Sequence, residues 1–186
     1  MHEPELPKPR GIARIVYKEI LDGDRRKFEA RSHNSKTGGG ARDLRFSPYK
    51  KFLSVFEKML PEKNAKGICV GHFYWIENGE EKSSDAYFYP PNAARQTEGR
   101  VANVDKRLPK HMLPPKEDGT AILLLIQEDD QRVWPEFVTE QSLRSEDWHP
   151  SVKELILGCL SARRPDKNAM CGYIDYVTGE TYCNGR

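Results

Sequence analysis

Two short units in the chain place an acid two residues before an arginine: Asp43-Leu44-Arg45 and Glu98-Gly99-Arg100. In an extended backbone, positions i and i+2 project to one face. A carboxylate there can accept from the exocyclic amino group of cytosine, and a guanidinium can pair bidentately with the O6 and N7 edge of guanine. An acid and an arginine side by side thus have the chemistry to read both halves of a C·G pair, or neighbouring C·G pairs. The plainer reading is a local ion pair on a strand surface, which is common and worth little. Position sets the two readings level, because both units sit inside the two most basic stretches of the chain.

Those stretches supply the rest of a nucleic-acid reader's inventory. Around the first unit lie Arg31, His33, Asn34, Lys36 and Arg42; around the second lie Arg95, Gln96, Asn103, Lys106 and Arg107. Asparagine can pair with adenine, and the remaining cations neutralise phosphates. From Arg25 to Lys51 there are nine Lys and Arg against Glu29 and Asp43, and from Pro91 to Lys116 six against Glu98 and Asp105. From Glu117 to Pro150 the sign reverses, with nine acids against Arg132 and Arg144. The net charge of +2 hides this polarisation, which is the footprint of a polyanion binder. Gly38, Gly39, Gly40 and Gly99 are expected to let backbone approach a phosphate without a Cβ clash.

The elements that must position these groups are short. Ile12 to Ile20 and Arg25 to Arg31 read as strands around an Asp22-Gly23 turn. Ser32 to Ala41, with three consecutive glycines, reads as a loop. Ser47-Pro48 opens a helix with proline at its first position, and Tyr49, Phe52, Leu53, Phe56, Met59 and Leu60 recur at helical spacing up to Pro61. Ile68–Glu77 and Asp85–Tyr89 read as strands joined through Asn78-Gly79. Val101 and Val104 mark a short strand, and Ala121–Ile126 and Arg132–Val138 form a hairpin. Ser151 to Glu154 reads as a capping box opening a second helix. Asp166 to Arg186 reads as a hairpin turning at Thr178-Gly179. The expected fold is mostly β with two helices, a closed or half-closed barrel. It divides into a lead-in over residues 1–10, a barrel over 11–165 and a C-terminal extension over 166–186.

None of the four cysteines forms a CxxC pair, so zinc ligation is not expected. Reduced thiols packed as small apolar groups are the expectation. A Cys171–Cys183 bridge across the last hairpin stays open and would be unusual in the cytoplasm. No apolar run approaches the ~20 residues that span a bilayer, and the N-terminus lacks a signal-peptide core, so a cytoplasmic protein with no membrane partner is expected.

The stretch Ser32-His33-Asn34-Ser35-Lys36-Thr37-Gly38-Gly39 resembles the first recognition arm of the EcoRII-type N-terminal effector domain of restriction endonucleases. There, an Asn-containing loop runs into Thr-Gly-Gly ahead of an apolar strand. Glu98-Gly99-Arg100-Val101 resembles that family's second arm, where a Glu-x-Arg pair opens a strand. Glu117-Asp118-Gly119 ahead of Ala121 to Ile126 also fits. The similarity runs over roughly residues 10 to 160, with the two arms as its specific part. The resemblance implies a DNA-binding pseudobarrel, a fold shared with plant transcription factors. It also implies a wrench-like grip with both arms in the major groove of a short C·G-rich site such as CCWGG. Glu98 and Arg100 carry over as base readers, and Asn34, Thr37 and the glycines as the first arm. The family's His-Gln after Thr-Gly-Gly is Gly40-Ala41 here, which shifts the first arm's base contacts toward Arg42, Asp43 or Arg45.

Catalytic signatures are absent from the sequence. A metal-dependent nuclease needs clustered carboxylates near a lysine, or a histidine-metal motif. Asp85 lacks a following Glu-x-Lys, and His33-Asn34 has no metal-ligating neighbour. The glycine run lacks the Gly-Lys-Ser/Thr ending of a phosphate loop. The expectation is a monomeric, cofactor-free binder of double-stranded DNA that performs no chemistry itself. A magnesium-dependent nuclease domain, covalently linked beyond Arg186, is the expected partner. Two other readings remain: a stand-alone metal-dependent endonuclease, and a reader of methylated or phosphorothioate DNA with Tyr89-Pro90 and Ala93 shaping an apolar recess.

Overall fold

The apolar run from Ala121 becomes the middle of the sheet. A strand with both faces covered reads as continuous hydrophobics, and every residue from Ala121 to Gln127 is buried. The computed structural model describes residues 9–29, 42–162 and 169–185. In chain order the elements are β1 (Ile12–Ile20), α1 (Asp22–Arg25), a 3₁₀ turn (Arg26–Phe28), β2 (Leu44–Phe46), α2 (Tyr49–Met59), β3 (Glu62–Lys63), β4 (Cys69–Glu77), β5 (Glu80–Tyr89), β6 (Gly99–Val101) and α3 (Val104–Arg107). After two further 3₁₀ turns come β7 (Ala121–Glu128), β8 (Val133–Thr139), α4 (Glu140–Ser145), α5 (Pro150–Ala162), β9 (Cys171–Asp175) and β10 (Thr181–Cys183).

The strands form one curled, half-closed sheet in the order β10-β9-β1-β7-β8-β4-β5-β6-β2, with β3 paired to β4. All pairings are antiparallel except β4 with β8, which run parallel and meet at a single position, Phe73 with Val133. The curl brings the β2 end round toward β1 and β9: Lys18 lies over the Phe46 ring at 5.9 Å, and the Cys171 thiol sits 3.8 Å from the Ser47 carbonyl.

The core is double. Inside the curl, α2 buries Phe52, Val55, Phe56 and Met59, and Phe56 stacks on Phe88 of β5 at 4.0 Å. On the outside, α5 places Val152, Ile156 and Leu160 against Ile15, Ile122, Leu124 and Ile174. That helix serves β1, β7 and β9. The outer faces of β4 and β5 carry Tyr74, Tyr87 and Tyr89 beneath Arg132, Arg107 and Arg100.

The mostly-β expectation holds, and α2 and α5 are the two long helices foreseen; among the described residues three short ones join them. Several local expectations are corrected. The strand expected over Arg25–Arg31 is instead α1 and a 3₁₀ turn as far as Phe28, because the Asp24 carboxylate accepts the Leu21 N–H at 3.2 Å and closes a turn. Pro48 precedes α2 as its N-cap rather than occupying its first position. Val104 opens α3 instead of extending a strand, since Asn103 takes a left-handed φ of 53°. Ser151 lies inside α5, where the cap is His149: its ring Nδ1 accepts the Ser151 N–H at 3.2 Å. The Ser151 hydroxyl is engaged with Tyr176 at 2.7 Å. The last hairpin is paired to β1 from Lys18–Cys171 to Arg14–Asp175, and all five residues of β9 are buried.

The thiols are also corrected. Cys159 and Cys183 form a disulfide, while Cys69 and Cys171 are free and buried. Cys171 faces the inner cluster and Cys183 the outer one, so a bridge between them is ruled out by strand alternation. Cys159 on α5 lies over the outer face, and meets Cys183 there. Among the described residues, no helix is long and apolar enough to cross a membrane.

Candidate nucleic-acid interface

β2, at the edge of the sheet, and β6 beside it are strands of three residues whose alternation decides what faces out. Leu44, Phe46, Gly99 and Val101 are buried, which turns Arg45 and Arg100 outward. The register sets Arg45 directly opposite Arg100. Like charges facing one another across a ladder are destabilising unless neutralised. The neutralising groups are the acids of the two units, exchanged: Asp43 pairs with Arg100 at 3.2 Å, and Glu98 with Arg45 at 3.4 Å. A third pair, Arg42 with Asp105 at 3.4 Å, continues the series. The charges along 42, 43 and 45 thus meet their complements at 105, 100 and 98, in antiparallel order.

The four unit residues differ in how tightly they are held. Asp43 is 4% exposed, and its second oxygen accepts the Asn103 N–H at 3.1 Å. Both of its oxygens therefore serve the protein, and Asp43 is a positioning residue. Glu98 uses one oxygen, Oε2, for both Arg45 and Arg95, the latter at 3.3 Å. Arg45 and Arg100 are each gripped through one terminal nitrogen, and the buried Nε of each has no partner among the described residues. Arg100 also lies over the Tyr89 ring at 5.4 Å. Arg107 covers Tyr87 at 4.3 Å and donates to the Asp85 carbonyl at 3.0 Å. Lys106 is exposed on α3, and Asn103 is half-buried at its N-cap.

The fold brings a part of the expected set into one place. Arg42, Asp43, Arg45, Arg95, Glu98, Arg100, Asn103, Lys106 and Arg107 come together at one edge of the sheet. Their charge is largely balanced locally, because Asp43, Glu98, Asp105 and Asp85 sit among the cations. The ion-pair reading of each unit applies, but between strands rather than within one. Gly99 has a packing role: a Cβ there would lie 2.2 Å from the Phe88 ring, so it is no phosphate approach point. The partners Asp105, Tyr87 and Tyr89 went unforeseen; the sign-reversed patterns at 42–45 and 98–105 were the available signal. Tyr89 lies beneath Arg100, and Ala93 is exposed on the turn between Asn92 and Arg95. Arg31, His33, Asn34, Lys36 and Thr37 lie outside the described residues.

The second arm is anchored from below, where the first N–H of α2, at Tyr49, donates to the Thr97 carbonyl at 2.8 Å. Among the described residues, no group of three or more His, Cys, Asp and Glu side chains is arranged to hold a metal ion. No protein-family model, curated protein or solved structure matches the chain, so the resemblance drawn from the two arms stands on those residues alone.

Proposed function

We propose that the chain is a sequence-specific, double-stranded DNA-binding domain of the pseudobarrel kind, reading through the outer face of β2 and β6. The meeting of the two acid-x-Arg units carries this reading. Asp43 and Arg100 are 57 positions apart in sequence, yet the fold sets Arg45 and Arg100 side by side facing outward. Each guanidinium keeps donors beyond those in its ion pair, which suits the O6 and N7 acceptors of guanine. Glu98, between Arg45 and Arg95, is placed to accept from a cytosine amino group. Asp43 fixes the geometry of that set. Lys106, with Arg31 and Lys36 of the first basic stretch of the sequence, supplies phosphate contacts. A short C·G-rich site such as CCWGG suits this arrangement, and any cleavage belongs to a separate magnesium-dependent nuclease domain.

Fluorescence anisotropy with labelled duplexes tests the reading. A CCWGG duplex should bind more tightly than a scrambled one at equal salt. Equal affinity would reduce the protein to a general polyanion binder, and absent binding would remove the function altogether. Cleavage of plasmid by the chain alone with Mg2+ would replace this reading with that of an endonuclease.

A further inference from the structure

The sheet is weakest where β4 and β8 pair at one position, Phe73 with Val133, and beside that seam lies a cleft of about 320 Å³. Its floor includes the β4 backbone at Gly71, where a Cβ would come 2.8 Å from Leu60. Around it stand Tyr74, His72, Arg132, Glu62, Asp130 and Gln131. Several of these are fixed before any ligand arrives. The Arg132 guanidinium lies over the Tyr74 ring at 5.1 Å and is gripped by both Glu81 oxygens at 2.8 and 3.0 Å. Gln131 takes a left-handed φ of 73° as the closing residue of the β7–β8 turn, its N–H donating to the Glu128 carbonyl at 3.0 Å.

The chemistry of this lining selects a ligand class. Tyr74 and the guanidinium plane above it offer flat, polarisable surface to a ring. The Glu62 carboxylate repels a phosphate and accepts from amino groups, while Asp130 is already engaged with Arg132, accepting its backbone N–H at 2.9 Å. Arg132 and the Gln131 amide supply donors to ring nitrogens or carbonyls, and the His72 ring is turned to Asp85, its Nε2 3.4 Å from that carboxylate. We propose that the cleft between β4 and β8 binds an amino-bearing nucleobase: adenine, cytosine or guanine.

Two sources offer that chemistry, a free nucleoside and a base turned out of a duplex. The second source rests on the DNA-binding reading above. The geometry suits it: Val70 of the cleft lies opposite Tyr87, and Tyr89 lies opposite Arg100, so the cleft is two strands from the reading face. At the usual strand spacing that is roughly 10 Å across the sheet.

The test uses the whole chain in two arms. In the first, adenosine, cytidine and uridine are titrated while the indole N–H of Trp134, whose ring is 5.8 Å from Tyr74, is followed by NMR. Saturable binding of adenosine and cytidine is expected, with uridine roughly tenfold weaker for want of the donor. Tyr74→Leu should weaken cytidine roughly tenfold, the scale of a lost base–aromatic stack. Glu62→Gln, at an exposed position, should bring cytidine and uridine together. In the second arm, a duplex carrying 2-aminopurine should brighten on binding wild type and stay dark with Tyr74→Leu. Nucleoside binding without duplex binding supports the cleft and overturns the DNA reading. Nucleoside binding with a dark, bound duplex supports the cleft and assigns it a free ligand. A bound but dark duplex, with no nucleoside binding, overturns the cleft and leaves the DNA reading intact. Neither binding overturns both.

Discussion

Asp43 holds Arg100 at 3.2 Å across the β2–β6 edge and takes the Asn103 N–H on its other oxygen at 3.1 Å. The acid of one unit therefore serves the arginine of the other, and Glu98 returns the exchange by holding Arg45. Residues 42–45 and 98–105, which belong to separate basic stretches in the sequence, form one interlocked face in the fold. The residue that looked most like a second base-reading acid is what fixes that face in place.

Removing Asp43 should be costly for this reason. Asp43→Ala leaves the Arg100 guanidinium, 18% exposed, and the Asn103 N–H without their acceptor. The expected loss is about 2 kcal/mol, below that of a fully buried pair because Arg100 retains some solvent. Urea unfolding measures it. Asp43→Ala combined with Arg100→Ala should cost less than the sum of the two, since the pair is coupled. Strict additivity would show that the contact contributes nothing.

Arg100 and Lys106 should separate reading from charge neutralisation. Arg100→Ala is expected to cost about 1–3 kcal/mol of duplex affinity and relax discrimination at one C·G position. Lys106→Ala should weaken all sequences alike and reduce the salt slope by roughly one. Titrations at several salt concentrations decide both. Uniform loss in Arg100→Ala would make it a phosphate contact, and an unchanged slope in Lys106→Ala would remove it from the interface.

The Cys159–Cys183 bridge closes a stretch with a sequence separation of 24. Chain-entropy reasoning puts its stabilisation at about 3 kcal/mol. Thermal melts with and without reductant should differ accordingly, and Cys159→Ser should melt alike in both. A wild-type melt unmoved by reductant would contradict the bridge.

Alkaline unfolding should be governed by buried phenols. Burial, helped by a hydrogen bond to Glu180, pushes the Tyr173 hydroxyl up to about 12. Burial also raises Tyr176 and Tyr182. The folded state keeps these protons while the unfolded chain releases them near pH 10, so stability falls between about pH 10 and 12. Tyr173→Phe ionises in neither state and should show a shallower fall. An equal fall in wild type and variant would mean that Tyr173 does not ionise differently on folding.

Much of the fold is written in local pattern. The run at Ala121, the helical stripe from Tyr49 and the Asn78-Gly79 turn, with φ of 51° and 77°, declare themselves because each needs only near neighbours in sequence. The bridge partner of Cys183 does not, since it depends on how α5 crosses the sheet. Nor does the fate of Asp43: its i+2 neighbour Arg45 was the visible partner, and Arg100 became the actual one through strand pairing. The short helices α1 and α3 rest on single side-chain and backbone contacts, at Asp24 and Asn103, that no periodicity announces.

Selection of duplexes from a random-sequence pool by the intact chain tests the central claim most directly, with Arg45→Ala and Arg100→Ala selected in parallel. The account predicts one enriched, short, C·G-containing motif, with a C·G position lost in each variant. Retention of duplex with no enriched motif, or the same motif in all three proteins, would contradict a reading face built on Arg45 and Arg100.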